Sequence, residues 1–225
     1  QKLWKLLGYL KFPGFSLRRI LDESQKILLG ALELFMRIGV KSVSMDDLAR
    51  ELGISKKTIY KHFSDKRELI ASVMKAEIAN DVKSCNQCYS SHENAVQKMI
   101  NISRHVSRQH KDINPTVIYD LQKYYPAEWG LLDKHRTEFV QELIARNVQE
   151  GQTEGFYRDD LSPLTVSSMY ATLIQGMMHQ LASKDNTFKF KTLHLEMVSY
   201  HLNGICTDAG REYLQQHITE ITNDQ

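Results

Sequence analysis

Six polar side chains crowd onto one short predicted helix in the first third of the chain. The segment follows Gly53 and Ser55, and its apolar residues Ile59 and Phe63 are four positions apart, so they share one buried side. The rest of the helix surface carries Lys56, Lys57, Thr58, Tyr60, Lys61 and His62. Lysine donates to guanine or to phosphate, and a threonine methyl packs on the methyl of thymine. This chemistry is typical of a helix that lies in the major groove of DNA.

Position along this helix separates base contacts from backbone contacts. Side chains near the N-terminus of a recognition helix reach deepest into the groove, which assigns Lys56, Lys57 and Thr58 to base edges. Tyr60 and His62 lie further along the helix, and we expect them to donate to backbone phosphates. Such phosphate contacts set the register of the protein on the duplex rather than its sequence preference.

Two flanking residues extend the basic surface. Lys66 begins the next helix, where free amides and the helix dipole also attract a phosphate, and Ser44 offers a hydroxyl at the start of the preceding helix. Between Gly53 and Arg67 there are five Lys or Arg residues and one acid, whereas the whole chain has a net charge of only +2. Attraction for phosphate is local, so this excess favours DNA binding over an ordinary solvated helix face.

The elements that must position this helix form a three-helix unit. Ser44 and Asp47 are spaced as a capping box at the start of a helix over 44–52, and Gly53 supplies the left-handed residue that ends it. Ser55 caps the third helix, over 55–63. An apolar stripe at helical spacing predicts the first helix, over 22–38: Ile27, Leu28, Ala31, Leu34, Phe35 and Ile38.

The remainder of the chain also predicts long helices. With 42% hydrophobic residues, 25% charged residues and four prolines, the composition is that of a globular helical protein. We predict an all-α fold in which a helix-turn-helix DNA-binding domain, 22–67, precedes a larger helical effector-binding and dimerisation domain, 68–225. The later helices are predicted over 66–89, 92–110, 114–125, 128–150, 162–183, 187–203 and 208–220.

The first 21 residues form a basic N-terminal extension with five Lys or Arg residues and no acid. Leucines at helical spacing make it amphipathic, so contact with a membrane or with DNA is one interpretation. The alternatives are an artefact of expression or of the assigned gene start, and a poorly ordered arm. Lysines interrupt any signal-peptide core, and no run approaches the roughly 18 apolar residues that span a bilayer. No membrane partner is expected.

Cysteine usage predicts a reducing, cytoplasmic setting, since Cys85, Cys88 and Cys206 are too few for a disulfide framework. If the helix is continuous, Cys85, Cys88 and His92 share one face, and two thiolates with an imidazole can bind Zn²⁺ or respond to oxidation. No second pair of ligands is evident. Half-buried cysteines beside a solvated histidine are therefore the favoured interpretation, and no metal or cofactor is predicted.

No catalytic residues are predicted either. The chain has no glycine-rich phosphate loop, no His-Glu metal motif and no activated-nucleophile motif. Two alternatives to a DNA-binding regulator remain open at this point. One is an enzyme on a helical scaffold, and the other is a helical interaction protein that does not bind DNA and whose basic N-terminus touches membranes.

The helix-turn-helix segment resembles the DNA-binding signature of the TetR/AcrR family of bacterial transcriptional regulators. The resemblance is dense over 22–70 and extends to the rest of the chain in layout. It implies an all-helical homodimer, usually a repressor, that binds double-stranded operator DNA and is released by a small-molecule effector. Carried over by position, it places DNA contacts at Ser44, Lys56, Lys57, Thr58, Tyr60, Lys61, His62 and Lys66. The matching pattern is Ser44-x-x-x-Leu48-Ala49-x-x-Leu52-Gly53-Ile54-Ser55-x-x-Thr58-Ile59-Tyr60-x-His62-Phe63-x-x-Lys66-x-x-Leu69.

Two further sites follow for the second domain. The helices over 162–183 and 187–203 have wide apolar faces and, given the resemblance, are predicted to form a four-helix dimer interface; closure of the monomer core is the alternative. The candidate interface residues are Val166, Met169, Tyr170, Leu173, Met177, Leu195, Val198 and Leu202. A pocket for a hydrophobic or amphipathic molecule is predicted inside the bundle. Its candidate lining residues are Met99, Ile102, His105, Val106, Tyr119, Trp129, Phe139 and Gln175.

Overall fold

The computed structural model describes residues 21–183 and 185–222, with side chains described as far as His217. These residues divide into two units, the first ending at Val73 and the second beginning at Met74. Every regular element in the described ranges is helical, which confirms the all-α prediction. None of the described helices is both long and apolar enough to cross a bilayer. The predicted extension over 1–21 lies outside the described residues except for Leu21.

The first unit contains three short helices and the start of a long one. These are α1 (Glu23–Ile38), α2 (Met45–Leu52), α3 (Lys56–His62) and α4 (Lys66–Tyr89), which continues into the second unit. A capping box begins α1, because Asp22 Oδ1 accepts from the Gln25 N–H at 2.8 Å and Gln25 Oε1 accepts from the Asp22 N–H at 3.1 Å. Six residues are almost fully buried in the unit's core: Ile27, Phe35, Leu48, Ile59, Phe63 and Leu69.

The second unit adds seven α-helices. Proline occupies the first position of three of them, where its missing N–H costs no hydrogen bond. The helices are α5 (Ala95–His110), α6 (Pro115–Tyr124), α7 (Pro126–His135), α8 (Gln141–Thr153), α9 (Pro163–Ala182), α10 (Phe190–Ile205) and α11 (Asp208–Thr222).

The prediction of a single helix over 128–150 was wrong. The helical segment begins earlier, at Pro126, and a five-residue π-helical segment, Arg136–Val140, separates α7 from α8. The residue that π-helical geometry adds shifts the direction of the side chains that follow it, and such segments occur often at functional sites.

A buried polar chain fixes α5 against α8 in the core of the second unit. The hydroxyl of Tyr157 donates to Asn147 Oδ1 at 3.1 Å, and Asn147 Nδ2 donates to the carbonyl of Ala95 at 2.8 Å. The Tyr157 hydroxyl and the Asn147 amide thereby have hydrogen-bond partners, which offsets the cost of burying these two polar groups. Val198 and Leu202 of α10 are fully buried in the same apolar cluster.

Hydrogen bonds join two turns that are about 50 residues apart in the chain. Arg158 is paired with Asp160 at 2.7 and 3.0 Å, and its other terminal nitrogen donates to the carbonyl of Gly204 at 3.3 Å. From the opposite side, Thr207 Oγ1 donates to the carbonyl of Gly155 at 2.9 Å. These bonds join the segment after α8 to the junction of α10 and α11.

Candidate functional site

Side-chain caps and a left-handed glycine fix the turn between α2 and α3. Ser44 Oγ accepts from the Asp47 N–H at 3.1 Å, and Asp47 Oδ2 accepts from the Ser44 N–H at 3.0 Å. Gly53 ends α2 with a φ of 66°, which glycine adopts without steric cost. Ser55 Oγ then caps α3 by accepting from the Thr58 N–H at 3.0 Å. These caps determine the direction in which α3 leaves α2.

Burial divides α3 into an anchored side and an open side. Ile59 is fully buried and Phe63 nearly so, and the two hold the helix on the first unit. Lys57 and Lys61 are exposed, and 44% of Tyr60 is open to solvent. A seven-residue helix is about 10 Å long, which is compatible with a major groove about 12 Å wide. The open side of α3 therefore has the size and the charge of a groove-reading surface.

Two of the predicted contact residues have acidic partners. Lys56 Nζ lies 2.9 Å from Asp46 Oδ2, and this hydrogen bond raises the pKa of Lys56. His62 Nε2 lies 2.8 Å from Glu23 Oε2, and the hydrogen bond lowers the pKa of the Glu23 carboxyl. Both pairs are at the surface, where solvent screens an ion pair and leaves it weak. DNA contact through Lys56 or His62 requires only that these weak pairs open.

Two predicted contact residues use their hydroxyls within the caps. Ser44 Oγ donates to Asp47 Oδ2 at 2.6 Å, and this bond lowers the pKa of Asp47. Thr58 Oγ1 lies 2.8 Å from Ser55 Oγ, so its hydroxyl already has a partner. The packing of the Thr58 methyl on thymine does not use the hydroxyl and stays a prediction.

The remaining predicted contact residues differ in whether they already form hydrogen bonds or ion pairs. Lys66 Nζ donates to the carbonyl of Lys41 at 3.2 Å. Within the described part of the chain, Lys57 and Lys61 form no ion pair, and the Tyr60 hydroxyl forms no hydrogen bond. These three side chains present polar groups that need no rearrangement before they meet a phosphate or a base.

The residues predicted to line a pocket do not form one group. Ile102, Val106 and Phe139 pack in a small cluster with Cys85 and other buried side chains of α4 and α8. Met99 belongs instead to the large core cluster of the unit. Three of the eight candidates therefore lie together, with Phe139 in the π-helical segment, and their role in lining a pocket stays a prediction.

Three other pocket candidates lie elsewhere. Gln175 is exposed on α9, so its prediction as an interior residue is corrected. Trp129 is buried with the guanidinium of Arg136 4.9 Å from its ring centre. Tyr119 accepts a hydrogen bond from the exposed Lys123 at 2.7 Å. None of these contacts brings the three side chains to the small cluster.

Among the pocket candidates, His105 interacts with a group of titratable residues around Asp81. The sequence did not lead us to predict this group. Asp81 Oδ2 lies 2.8 Å from His135 Nε2, and the carboxylate also interacts electrostatically with His105 and His110. Glu77 lies one turn before Asp81 on the same face of α4. The sequence does contain a pattern that could have indicated this group. Glu77 and Asp81 are four residues apart and share a helix face with Met74 and Cys85.

The three-residue set Cys85, Cys88 and His92 does not share one helix face, so the premise of that hypothesis was wrong. The α4 helix ends at Tyr89, and His92 is exposed beyond it. Burial raises the pKa of Cys85 and of Cys88. A thiol with a raised pKa is a poor nucleophile and a poor metal ligand, because the thiolate is the reactive form.

The predicted dimer residues divide into a buried set and an exposed set. Val198 and Leu202 are fully buried within the protomer, and Val166, Tyr170 and Met177 are nearly so. A side chain without accessible surface cannot contact a partner, so the structure corrects Val198 and Leu202 to core residues. Val166, Tyr170 and Met177 keep 8%, 4% and 6% exposure, and their place in an interface stays a prediction. Leu195 is half-buried against the core, and the exposed apolar residues of α9 and α10 are Leu164, Met169, Leu173 and Tyr200.

Known proteins resemble this chain most strongly over its first unit. Residues 27–73 match the family model described as bacterial regulatory proteins, tetR family. The HTH-type transcriptional regulator SAB2452 of Staphylococcus aureus is 28% identical over 124 residues, which cover 55% of this chain and 64% of that protein. The HTH-type transcriptional activator FasR of Mycolicibacterium smegmatis is 36% identical over 67 residues, 29% of this chain and 31% of FasR. The chain thus spans less than two thirds of either relative.

Solved structures share the fold over most of the chain. The reduced form of E. coli NemR superposes with a TM-score of 0.68 over 83% of this chain and 98% of NemR, at 13% sequence identity. At that identity the likeness concerns the fold alone. It covers both units, whereas the family model covers only the first.

Proposed function

Because this chain belongs to the TetR family of bacterial regulatory proteins, we propose that it represses transcription by binding a near-palindromic operator as a homodimer. A small molecule bound in the second unit releases it from the DNA. A protein with this function acts in the cytoplasm, where the chromosome lies. The alternative of a helical interaction protein that does not bind DNA is not favoured.

The open side of α3 is the observation that carries this proposal. Lys57 and Lys61 are exposed on a helix whose position is fixed by buried Ile59 and Phe63. Lys57 lies in the first turn of the helix and supplies a donor for base edges, while Lys61 and Tyr60 supply donors for phosphates further along. A rigid helix with donors graded in this way discriminates between sequences as well as attracting the duplex.

A homodimer follows from the size of the reading surface. One α3 covers only a half-site, so a palindromic operator needs two copies whose α3 helices are about 34–36 Å apart, or a multiple of that distance. The second unit offers exposed apolar side chains for this purpose: Met169 and Leu173, four residues apart on one face of α9, and Tyr200 of α10. Contiguous exposed apolar surface commonly marks an interface, so we place the dimer contact on this face of α9.

DNA recognition is tested in two steps. Duplexes that bind the protein are selected from a random library, and the dissociation constant for the enriched duplex is measured by fluorescence anisotropy. We expect Lys57→Ala to weaken binding by about fivefold to 150-fold, since a base contact is worth about 1–3 kcal/mol. We expect Tyr60→Phe to weaken it less, because one phosphate contact is lost. Lys75→Ala is the matched control, an exposed lysine on α4 in the second unit.

Binding that is unchanged in Lys57→Ala would overturn the assignment of α3 as the reading helix. Failure of the library to enrich any sequence would overturn the proposal of a specific operator. The direction of regulation is measured with a reporter placed behind the selected duplex. Expression that rises with the regulator would make it an activator, as the name of FasR states for that relative.

A further inference from the structure

The inward face of α4 in the second unit carries two carboxylates where apolar residues would be expected. Met74, Glu77, Asp81, Cys85 and Cys88 follow one another at intervals of three or four residues, so they share one face of the helix. Met74 and Cys85 are buried, and the carboxylates between them are partly buried. Placing two acids on a core-facing stripe costs free energy unless cations or donors compensate them.

Among the residues that the structure describes, only Asp81 of these two acids has a hydrogen-bond partner. Asp81 Oδ2 lies 2.8 Å from His135 Nε2, and Asp81 Oδ1 accepts from the Cys85 thiol at 3.8 Å. Burial raises the pKa of Asp81, but the hydrogen bond from His135 and the neighbouring histidines outweigh it, so that the pKa is lowered. Asp81 is therefore held as an anion within the protein.

Glu77 is not compensated in this way. Within the described residues it has no hydrogen bond and no ion pair, and burial together with the charge of Asp81 raises the pKa of its carboxyl. Burial lowers the pKa of His105 and of His110, so these imidazoles compensate less negative charge than free histidines would. Glu77 thus lacks a direct cationic partner among the described residues.

Aromatic rings and a distorted helix border the same place. The ring of His135 stacks on Phe139 with centroids 5.3 Å apart, and Phe139 lies within the π-helical segment Arg136–Val140. On the α5 side, His110 meets Phe190 edge-on at 5.4 Å. Aromatic faces attract organic cations, since the ring quadrupole is negative above and below its plane.

We propose that the effector of this regulator is an organic cation, an amine or quaternary ammonium compound, whose nitrogen lies against Glu77 and Asp81. The proposal rests on the proposed function only in taking the second unit to be the effector-binding unit. The ligand's positive charge supplies what Glu77 lacks, and its apolar part packs on Phe139 and the small cluster of Ile102 and Val106.

Charge and the number of donors exclude two other ligand classes at this place, anions and bare metal ions. An anion would meet two carboxylates beside imidazoles whose pKa values are lowered. A bare metal ion needs at least three preplaced donors, and no group of three His, Cys, Asp or Glu in the described ranges has that arrangement. A cation with its own apolar body needs only the carboxylates and the rings.

The experiment compares three probes that share one skeleton: 4-phenylbutylamine, 4-phenylbutan-1-ol and 4-phenylbutanoate. Isothermal titration calorimetry and thermal unfolding are measured at pH 7.5 on the full chain and on Glu77→Gln. Glu212→Gln is the matched control, the same substitution at an exposed glutamate of α11. We expect the amine to bind the unaltered chain more tightly than either other probe. We expect Glu77→Gln to weaken the amine about tenfold, since hydrogen bonds to charged groups contribute about 1.5–3 kcal/mol.

The ligand-free protein gives a second, independent readout. Because Glu77→Gln removes an uncompensated charge, it should raise the unfolding temperature without ligand, whereas Glu212→Gln should leave it unchanged. The proposal is overturned if the amine does not bind more tightly than both the alcohol and the carboxylate. It is also overturned if Glu77→Gln binds the amine as the unaltered chain does, or lowers the ligand-free unfolding temperature.

Operator binding is measured separately on the same preparations. Loss of amine binding with specific DNA binding retained refutes the cationic effector and leaves the regulator intact. Amine binding without specific DNA binding refutes the proposed function and leaves the site intact.

Discussion

The ammonium of Lys56 lies 2.9 Å from the carboxylate of Asp46, so a residue of α2 neutralises the first lysine of α3. Lys56 also lies near Tyr60, with its nitrogen 6.0 Å from the ring centre. In the free protein the N-terminus of α3 therefore presents less positive charge than its sequence implies. Under the proposed function, DNA would have to compete with Asp46 for this lysine.

Replacing Asp46 by Asn should strengthen operator binding roughly threefold, because an exposed ion pair is worth less than about 1 kcal/mol and its loss frees Lys56. The measurement is an anisotropy titration of the selected duplex at two salt concentrations. The gain should shrink at the higher salt, since a released lysine contacts phosphate or base through screened charge.

Glu51→Gln is the control for this change. It removes the same unit of charge from α2, but Glu51 pairs with Arg37 of α1 rather than with a residue of α3. If Glu51→Gln strengthens binding as much as Asp46→Asn, the effect comes from net charge and the role assigned to the Asp46–Lys56 pair is wrong.

Met169→Glu should dissociate the proposed homodimer. The side chain is 63% exposed in the protomer, so the substitution leaves the protomer core intact but places a charge in the interface. An uncompensated buried charge costs about 3 kcal/mol or more, which is roughly a hundredfold in the dissociation constant. Sedimentation equilibrium measures that constant. Phe188→Glu, at an exposed apolar residue before α10, should not alter it; equal dissociation by both variants would contradict the assigned face.

The stability of the second unit should fall on mild acidification because of its buried histidines. Burial lowers the pKa of His201 from 6.5 to about 4. Between these pH values the unfolded chain binds the proton and the folded chain does not, so unfolding is favoured as the pH falls from 6.5 towards 4. The contribution of one such histidine is at most roughly 3 kcal/mol. His194, lowered to about 4 largely by burial, acts in the same direction.

His201→Phe should reduce this pH dependence, since it keeps a ring beside Tyr170, whose centroid is 4.8 Å away, but cannot be protonated. Denaturant unfolding at pH 7.5 and pH 5 gives the two free energies of unfolding whose difference is compared. His92→Gln, at an exposed histidine, should leave the difference unchanged. An undiminished difference in His201→Phe would show that His201 does not stay neutral in the folded protein.

Gly151→Ala should destabilise the second unit by about 1–3 kcal/mol, as is typical of overpacking. A Cβ at Gly151 would overlap the ring of Tyr157, which is itself fixed by its hydrogen bond to Asn147. The loss is measured as the shift in the denaturant midpoint.

Gly130→Ala is the matched helical control, because its Cβ would meet nothing within 4 Å. It should stabilise the protein by up to about 1 kcal/mol through the unfolded state. A Gly151→Ala variant as stable as Gly130→Ala would mean that the Tyr157 ring moves aside without cost.

The sequence alone determined the local parts of this protein. Each feature of the α2–α3 unit is set by residues at most four positions apart, so the unit could be predicted. These features are the caps at Ser44 and Ser55 and the left-handed turn at Gly53. The buried pair Ile59 and Phe63 follows from helical spacing in the same way. The family pattern rests on these local features, which is why it is readable without a structure.

Only the tertiary structure decided which side of the later helices faces inward. The helices α9 and α10 are apolar over a wide arc, so spacing could not separate buried Val198 from exposed Tyr200; the helices packed against them make that choice. Asp81 and His135 meet across 54 positions of chain, and the break of the helix after His135 is visible only in the fold. Contacts at that separation depend on how whole helices pack, and no local pattern in the sequence encodes them.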